Sequence, residues 1–165
     1  MEELMKALCR AWEDEWQGMV MGELRYSKGE GETDGPCEIS WSGRKIIRIR
    51  AVKGTGRMEI LLFPFSGKTV GKKREDKGTW WHTFSEEEVR SFSLALGDHN
   101  EIHQSHRPVV SGFQIASALT KGKNFERLRI RFHHSLYAGD AVYLKQAGNR
   151  VYGSSNVLCF EAVME

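Results

Sequence analysis

Residues 112–121, GFQIASALTK, limit what this chain can fold into more than any other stretch. Phe113, Ile115, Ala116, Ala118 and Leu119 fall on more than one side of a helix, and a helix apolar nearly all round has to be enclosed. Gly122 behind it is a natural stop. The segments that follow can supply the enclosure. Residues 127–133, 141–146 and 151–164 read as three strands, the first alternating Arg127, Arg129 and Arg131 with Leu128, Ile130 and Phe132. A buried helix followed by an antiparallel meander predicts an α+β domain, with a sheet wrapped round a central helix.

Ahead of this unit, Ser85 and Glu88 form a capping box, Val89, Phe92 and Leu96 line one face, and Gly97 closes a helix predicted over 85–96. Residues 2–16 place Leu4, Met5, Leu8, Trp12 and Trp16 at helical spacing before Gly18, which predicts an amphipathic helix with both tryptophans in the core. The run GEGETDGP over 29–36 reads as an exposed loop. Residues 38–65 alternate in two runs about a GTG turn, a predicted hairpin, and 66–78 form a basic, glycine-containing loop or linker. The expected organisation is a helix-and-hairpin extension over 1–78, able to add strands to the sheet, and a main domain over 79–165.

At 165 residues, with 40% hydrophobic and 28% charged side chains, the chain has the material for one closed core and not for two enzymatic domains. No stretch reaches the ~20 apolar residues of a membrane helix, and the first residues are acidic where a signal peptide is basic and then apolar, so a cytoplasmic protein is expected. Three cysteines without a CxxC pair suggest plain thiols. The net charge of +2 conceals a basic stretch, since residues 44–77 hold eleven Lys or Arg against Glu59, Glu75 and Asp76. Such a stretch fits a solvated strand face, an anionic membrane face, nucleic acid, or acidic cofactors and carrier proteins. No helix-turn-helix, zinc-finger or RNP motif accompanies it, so nucleic acid is not expected. Trp80 and Trp81 beside it read as the edge of a core.

All six histidines lie between His82 and His134, and three of them join Asp98, Asn100 and Glu101 in the loop GDHNEIHQSHRPVVSG. Asp98 and His103, in a loop held at both ends by helices, can face one small volume and move protons to and from a bound water. Gly112 opens the buried helix. Its amide either suits a developing oxyanion, with the helix dipole behind it, or the glycine serves close packing. His99, His103 and His106 have a spacing open to zinc but no helical register, and no metal is expected. His133 and His134 fall on opposite faces of a strand, so at most one is expected to reach a site.

Here the sequence resembles the MaoC-like, or (R)-specific enoyl-CoA, hydratases of the hotdog fold. Their motif runs Gly-Asp-x-Asn-Pro-x-His and then Pro-hydrophobic-Val-x-Gly into a buried helix; this chain has LGDHNEIH at 96–103 and RPVVSGFQIAS at 107–117. RFHHSLYAGDAV at 131–142 is similar to the family's downstream bend. The resemblance covers about 83–165. It implies that Asp98 and His103 activate water and handle the proton at Cα, that Asn100 orients them, and that the Gly112 amide polarises the thioester carbonyl. It further implies that Val110, Ser111, Phe113, Ser117 and Thr120 line the acyl pocket. Arg127, Arg129 and Arg131, by their alternation, are expected to form a solvated face, with a hold for CoA phosphates as the alternative. Reversible hydration of a 2-enoyl thioester, on CoA or acyl carrier protein, is the implied reaction; it needs no metal or redox cofactor, and a homodimer is implied. Thioester hydrolysis, or thioester binding without turnover, are the other activities the fold admits. The chain departs from the motif at Glu101, where the family has proline, at Ser111, where histidine is usual, and at Ser135, where the bend proline stands. The stretch between His103 and Gly112, which helps roof the family's acyl pocket, is about half the usual length.

Overall fold

The computed structural model describes residues 1–65 and 78–165, without the side chains of 31–34. The predicted basic loop at 66–78 therefore lies outside the described residues, apart from Gly78.

Among the described residues seven antiparallel strands form one sheet in the order β2-β1-β4-β7-β6-β5-β3. They are β1 (Met19–Gly43), β2 (Ile47–Pro64), β3 (Thr79–Thr83), β4 (Arg127–Phe132), β5 (Ala141–Ala147), β6 (Arg150–Ser154) and β7 (Leu158–Met164). The first part of the chain adds two strands to the sheet, because β1 pairs with β2 on one side and, through Glu23–Ser27, with β4 on the other. Three α-helices among the described residues accompany the sheet: α1 (Glu2–Arg10), α2 (Glu86–Leu96) and α3 (Gly112–Thr120).

Helix α3 is enclosed as its composition requires, with Phe113, Ile115, Ala116 and Leu119 at most 3% exposed. Around it the inward residues of the strands, among them Leu24, Ile49, Ile60, Leu128, Ile130 and Phe160, are fully buried in the same apolar cluster. Burial of each such side chain stabilises by roughly 1.5–3 kcal/mol, so the alternation in β4 alone fixes which face turns inward. Helix α2 starts and ends where its signals stand. The Ser85 hydroxyl accepts from the Glu88 N–H, the Glu88 carboxylate accepts from the Ser85 N–H, and Gly97 closes the helix at φ +76°.

Several expectations need correction. The N-terminal helix stops at Arg10, and a separate 3₁₀ turn at Asp14–Trp16 follows; Trp16 is buried, while Trp12 is only partly so. Residues 29–36 are not a free loop but part of β1, which shifts register against β2 between Lys28 and Glu38 and so absorbs surplus residues. The GTG of Gly54–Gly56 lies inside β2, opposite that irregular stretch, and the hairpin turns instead between Gly43 and Ile47. Gly43 sits at φ +114°, where a Cβ would lie 2.0 Å from the Ile46 carbonyl oxygen, so this turn admits only glycine. The predicted strand 151–164 is two strands, β6 and β7, paired with each other. Trp81 packs on Phe84 and Phe160, but Trp80 is 59% exposed.

Candidate functional site

Helix α2 delivers Asp98. Its last turn closes with the Gly97 N–H on the Leu94 carbonyl and the Asp98 N–H on the Ser93 carbonyl at 2.8 Å, which fixes the aspartate one residue beyond the helix. Asp98 is 5% exposed, and its Oδ1 accepts the Asn100 N–H at 3.0 Å. That bond turns the chain into a 3₁₀ segment, Glu101–His103, and brings His103 back towards the aspartate. His103 Nε2 stands 3.3 Å from Asp98 Oδ2, with both side chains buried. The other ring nitrogen, Nδ1, donates to the Val109 carbonyl at 2.6 Å. A carbonyl only accepts, so Nδ1 carries a proton and Nε2 is the nitrogen that faces Asp98.

This pair lines a cleft of about 340 Å³ whose walls also include Met21, Val110, Gly112, Phe113 and Phe132. Among the described residues the Gly112 N–H has no acceptor, while the Phe113 N–H is taken by the Ser111 hydroxyl and the Ile115 N–H by the Ser111 carbonyl. The donor at the start of α3 thus stands at the wall of the cleft, backed by the helix dipole. Close packing also applies at Gly112: an added Cβ would meet Met21 Sδ at 2.8 Å and Phe132 Cζ at 3.1 Å.

The other expected site residues divide. Val110, Ser111 and Phe113 line the cleft. Ser117 and Thr120 do not line it: Ser117 Oγ donates to Met5 Sδ at 3.7 Å, and Thr120 Oγ1 bonds back to the Ala116 carbonyl at 2.8 Å within the helix. The Asn100 side chain turns away from the Asp98–His103 pair. It donates to the Met19 carbonyl at 2.8 Å and accepts from the Gly18 N–H at 3.1 Å, so it meets Asp98 only through its backbone N–H. Both His133 and His134 line the cleft, against the expectation that at most one would. The strand ends at Phe132, and the two histidine amides then share the Cys159 carbonyl at 2.8 and 3.3 Å, so alternation no longer separates them.

Residues that the sequence did not assign to a site complete the cleft. Trp12 contributes from the turn after α1, Met19, Met21 and Gly22 from β1, and Leu62 and Phe63 from β2. Gln17 clamps the loop that carries the pair: its Nε2 donates to the His99 carbonyl at 3.2 Å, and its Oε1 accepts the Glu101 N–H at 3.0 Å. Proline has no N–H, so Glu101 in place of the motif's proline is what makes the second bond possible. Burial, with the Asp98 charge beside it, pushes the Cys9 thiol far up, and this cysteine stays protonated behind the site.

No protein-family model matches the chain, and no curated protein matches it in sequence. Solved structures do. HtdX of Mycobacterium tuberculosis superposes with a TM-score of 0.68 at 12% identity, over 99% of this chain and 83% of that one. A MaoC-like dehydratase from Phytophthora capsici superposes at 0.51 and 14% identity, over 90% and 69%. The 12:0-ACP thioesterase of Umbellularia californica superposes at 0.54 and 9% identity, over 89% and 74%. The fold of this chain is the α+β hotdog fold, as the resemblance implied.

Proposed function

We propose that this protein is a hydro-lyase that adds water reversibly across the Cα=Cβ bond of a 2-enoyl thioester. The observation that carries the reading is the buried Asp98–His103 pair, 3.3 Å apart in a cleft that also holds the Gly112 amide. A water held in the cleft against both Asp98 Oδ2 and His103 Nε2 loses a proton to the pair as its oxygen bonds to Cβ. The pair returns one proton to Cα, so water adds with no net change in the protein. The Gly112 amide donates to the thioester oxygen, where negative charge builds while Cα lacks its proton. The apolar wall of Val110, Phe113 and Phe132 takes the acyl chain. The carrier is CoA or acyl carrier protein, no metal or redox cofactor takes part, and the working unit is a homodimer.

Thioester hydrolysis is the second reading, favoured by the likeness to a thioesterase at a TM-score similar to that of the dehydratase. The same water would then attack the carbonyl carbon and release a thiol.

The test is incubation with short and medium 2-enoyl-CoA, following the conjugated thioester absorbance together with free thiol. Hydration predicts loss of absorbance without thiol, and Asp98→Asn and His103→Ala each lower the rate ~100-fold or more. Thiol release moves the assignment to hydrolysis, and binding without turnover marks a thioester sensor. Unchanged turnover in both variants would sink the role given to the pair.

A further inference from the structure

Away from the cleft, the outward side of β2, β1 and β4 gathers arginines in rows. One row across the three strands reads Arg57, Ser27, Arg127, and the next reads Glu59, Arg25, Arg129. Strands lie ~4.8 Å apart, so Arg57 and Arg127 stand about 10 Å apart at the backbone, on either side of Ser27, within reach of one ligand above it. Arg25 and Arg129 oppose each other directly across the strands, a like-charge arrangement held by one shared counter-charge, Glu23. With Arg48 and Arg50 these residues wall an open groove of about 670 Å³.

The carboxylates present do not use up these donors. Glu59 is 8% exposed and faces three guanidiniums, those of Arg48, Arg50 and Arg57, at 3.5 to 3.9 Å, all beyond ordinary hydrogen-bond length. Glu30 takes Arg127 at 3.2 Å and the Ser27 hydroxyl at 3.0 Å, and Glu23 takes Arg129 at 2.8 Å along with Arg25. Among the described residues six arginines line the groove against Glu30, Glu59 and Glu165, and with Glu23 on Arg25 and Arg129 counted as well the groove stays positive, six charges against four. Arginine, unlike lysine, offers a planar fork of donors that grips two oxygens of a phosphate at once, and several forks on both sides of a groove suit an anion with more than one phosphate.

We propose that this groove is a second ligand site, which binds the diphosphate group of a small molecule between Arg57 and Arg127, with Arg25 and Ser27 at its floor, the diphosphate taking the place of the exposed Glu30 carboxylate on Arg127 and the Ser27 hydroxyl. Among the described residues the groove and the cleft share no lining residue. Along β1 the cleft ends at Gly22 and the groove begins at Arg25, roughly 10 Å further on at ~3.3 Å per residue. The site therefore stands whether the cleft hydrates, hydrolyses or only binds thioesters.

Calorimetric titration of the whole protein with inorganic pyrophosphate, at low and at physiological ionic strength, tests this. Saturable binding is expected, weakened at least tenfold in Arg57→Ala/Arg127→Ala and only partly restored in Arg57→Lys/Arg127→Lys, while Asp98→Asn binds as the unaltered protein does. Ser27→Ala, which removes no charge, is expected to weaken binding by a smaller factor and guards against a misfolded double variant. A second titration with ADP separates the sources: tighter binding than pyrophosphate means that a nucleotide's organic part also contributes, and equal binding means that the diphosphate alone is read. No saturable pyrophosphate binding, or binding retained in both Arg57→Ala/Arg127→Ala and Arg25→Ala/Arg129→Ala, would overturn the proposal.

Discussion

The Gln17 side chain accepts the Glu101 N–H at 3.0 Å, joining residues 84 positions apart in the chain. With its other bond, to the His99 carbonyl, Gln17 spans the loop that holds Asp98 and His103 and ties it to the stretch entering β1. The first half of the chain thus supports the candidate site as well as the sheet. Proline at 101 is compatible with the first position of the 3₁₀ turn and removes only the N–H. Glu101→Pro is therefore expected to cost about 1 kcal/mol, close to the value of one such bond, and Gln17→Ala somewhat more because it loses two. In the Gln17→Ala background the same proline costs almost nothing. A double-mutant cycle by urea denaturation measures this coupling, and full additivity would show that the bond carries no stability.

Gly112 joins two requirements at one position, a close approach to Met21 and Phe132 and an open amide at the cleft. Gly112→Ala puts a methyl 2.8 Å from Met21 Sδ. Overpacking of this kind costs about 1–3 kcal/mol, and Met21→Ala in the same chain should recover most of it, since a thioether then no longer stands against the new methyl. Thermal denaturation of the single and double variants reads the effect. If the double variant is no more stable than Gly112→Ala alone, the clash lies elsewhere.

Much of this architecture is written in local chemistry. The capping box of Ser85 and Glu88, the left-handed Gly97 and the apolar surround of α3 are signals that act within a few residues, and the structure realises each where the sequence puts it. The pairing of Asp98 with His103 belongs to the same class, because a turn closed by the Asn100 N–H needs no distant partner. What the sequence hides is long-range. The surplus residues of β1 are absorbed only because β2 runs beside them, and GTG reads as a turn until that partner is present. Ser117 and Thr120 sit on the correct helix, but which face it shows the cleft depends on Met5 of α1, more than a hundred positions away. The two histidines after Phe132 escape alternation because the Cys159 carbonyl takes both amides, a bond that no spacing rule anticipates.

The three thiols differ enough in access to be told apart. Cys9 and Cys159 are 1% and 2% exposed, whereas Cys37 is only half-buried. Burial raises all three above the usual thiol range, so each has less thiolate than a free cysteine. A thiol reagent at neutral pH is expected to modify one cysteine of the native protein, more slowly than a free thiol, and all three in denaturant. Mass mapping should find the first label on Cys37. Early labelling of Cys9 would mean that α1 detaches from the sheet in the native state.

Glu23 is where the arginine rows and the stability of the sheet meet. Burial by itself would raise its carboxyl, but hydrogen bonds from Arg129 and Arg25, and their charges, outweigh this and hold it below the ordinary range. A carboxyl lowered by folding stabilises the protein fully above its unfolded pKa of ~4.3, and that contribution disappears as pH falls through the lower folded value. The unaltered protein should therefore lose stability steadily below about pH 5, and Glu23→Gln should lose less over the same interval. At pH 7 the substitution is expected to cost about 1 kcal/mol, since it removes an anion shared by Arg25, Arg129 and Arg131 and leaves those guanidiniums facing one another. Added salt should narrow the gap by screening the repulsion left behind. Denaturation midpoints at pH 7 and pH 4, with and without salt, check both parts, and identical acid slopes for the two proteins would show that Glu23 does not hold its charge in the folded sheet.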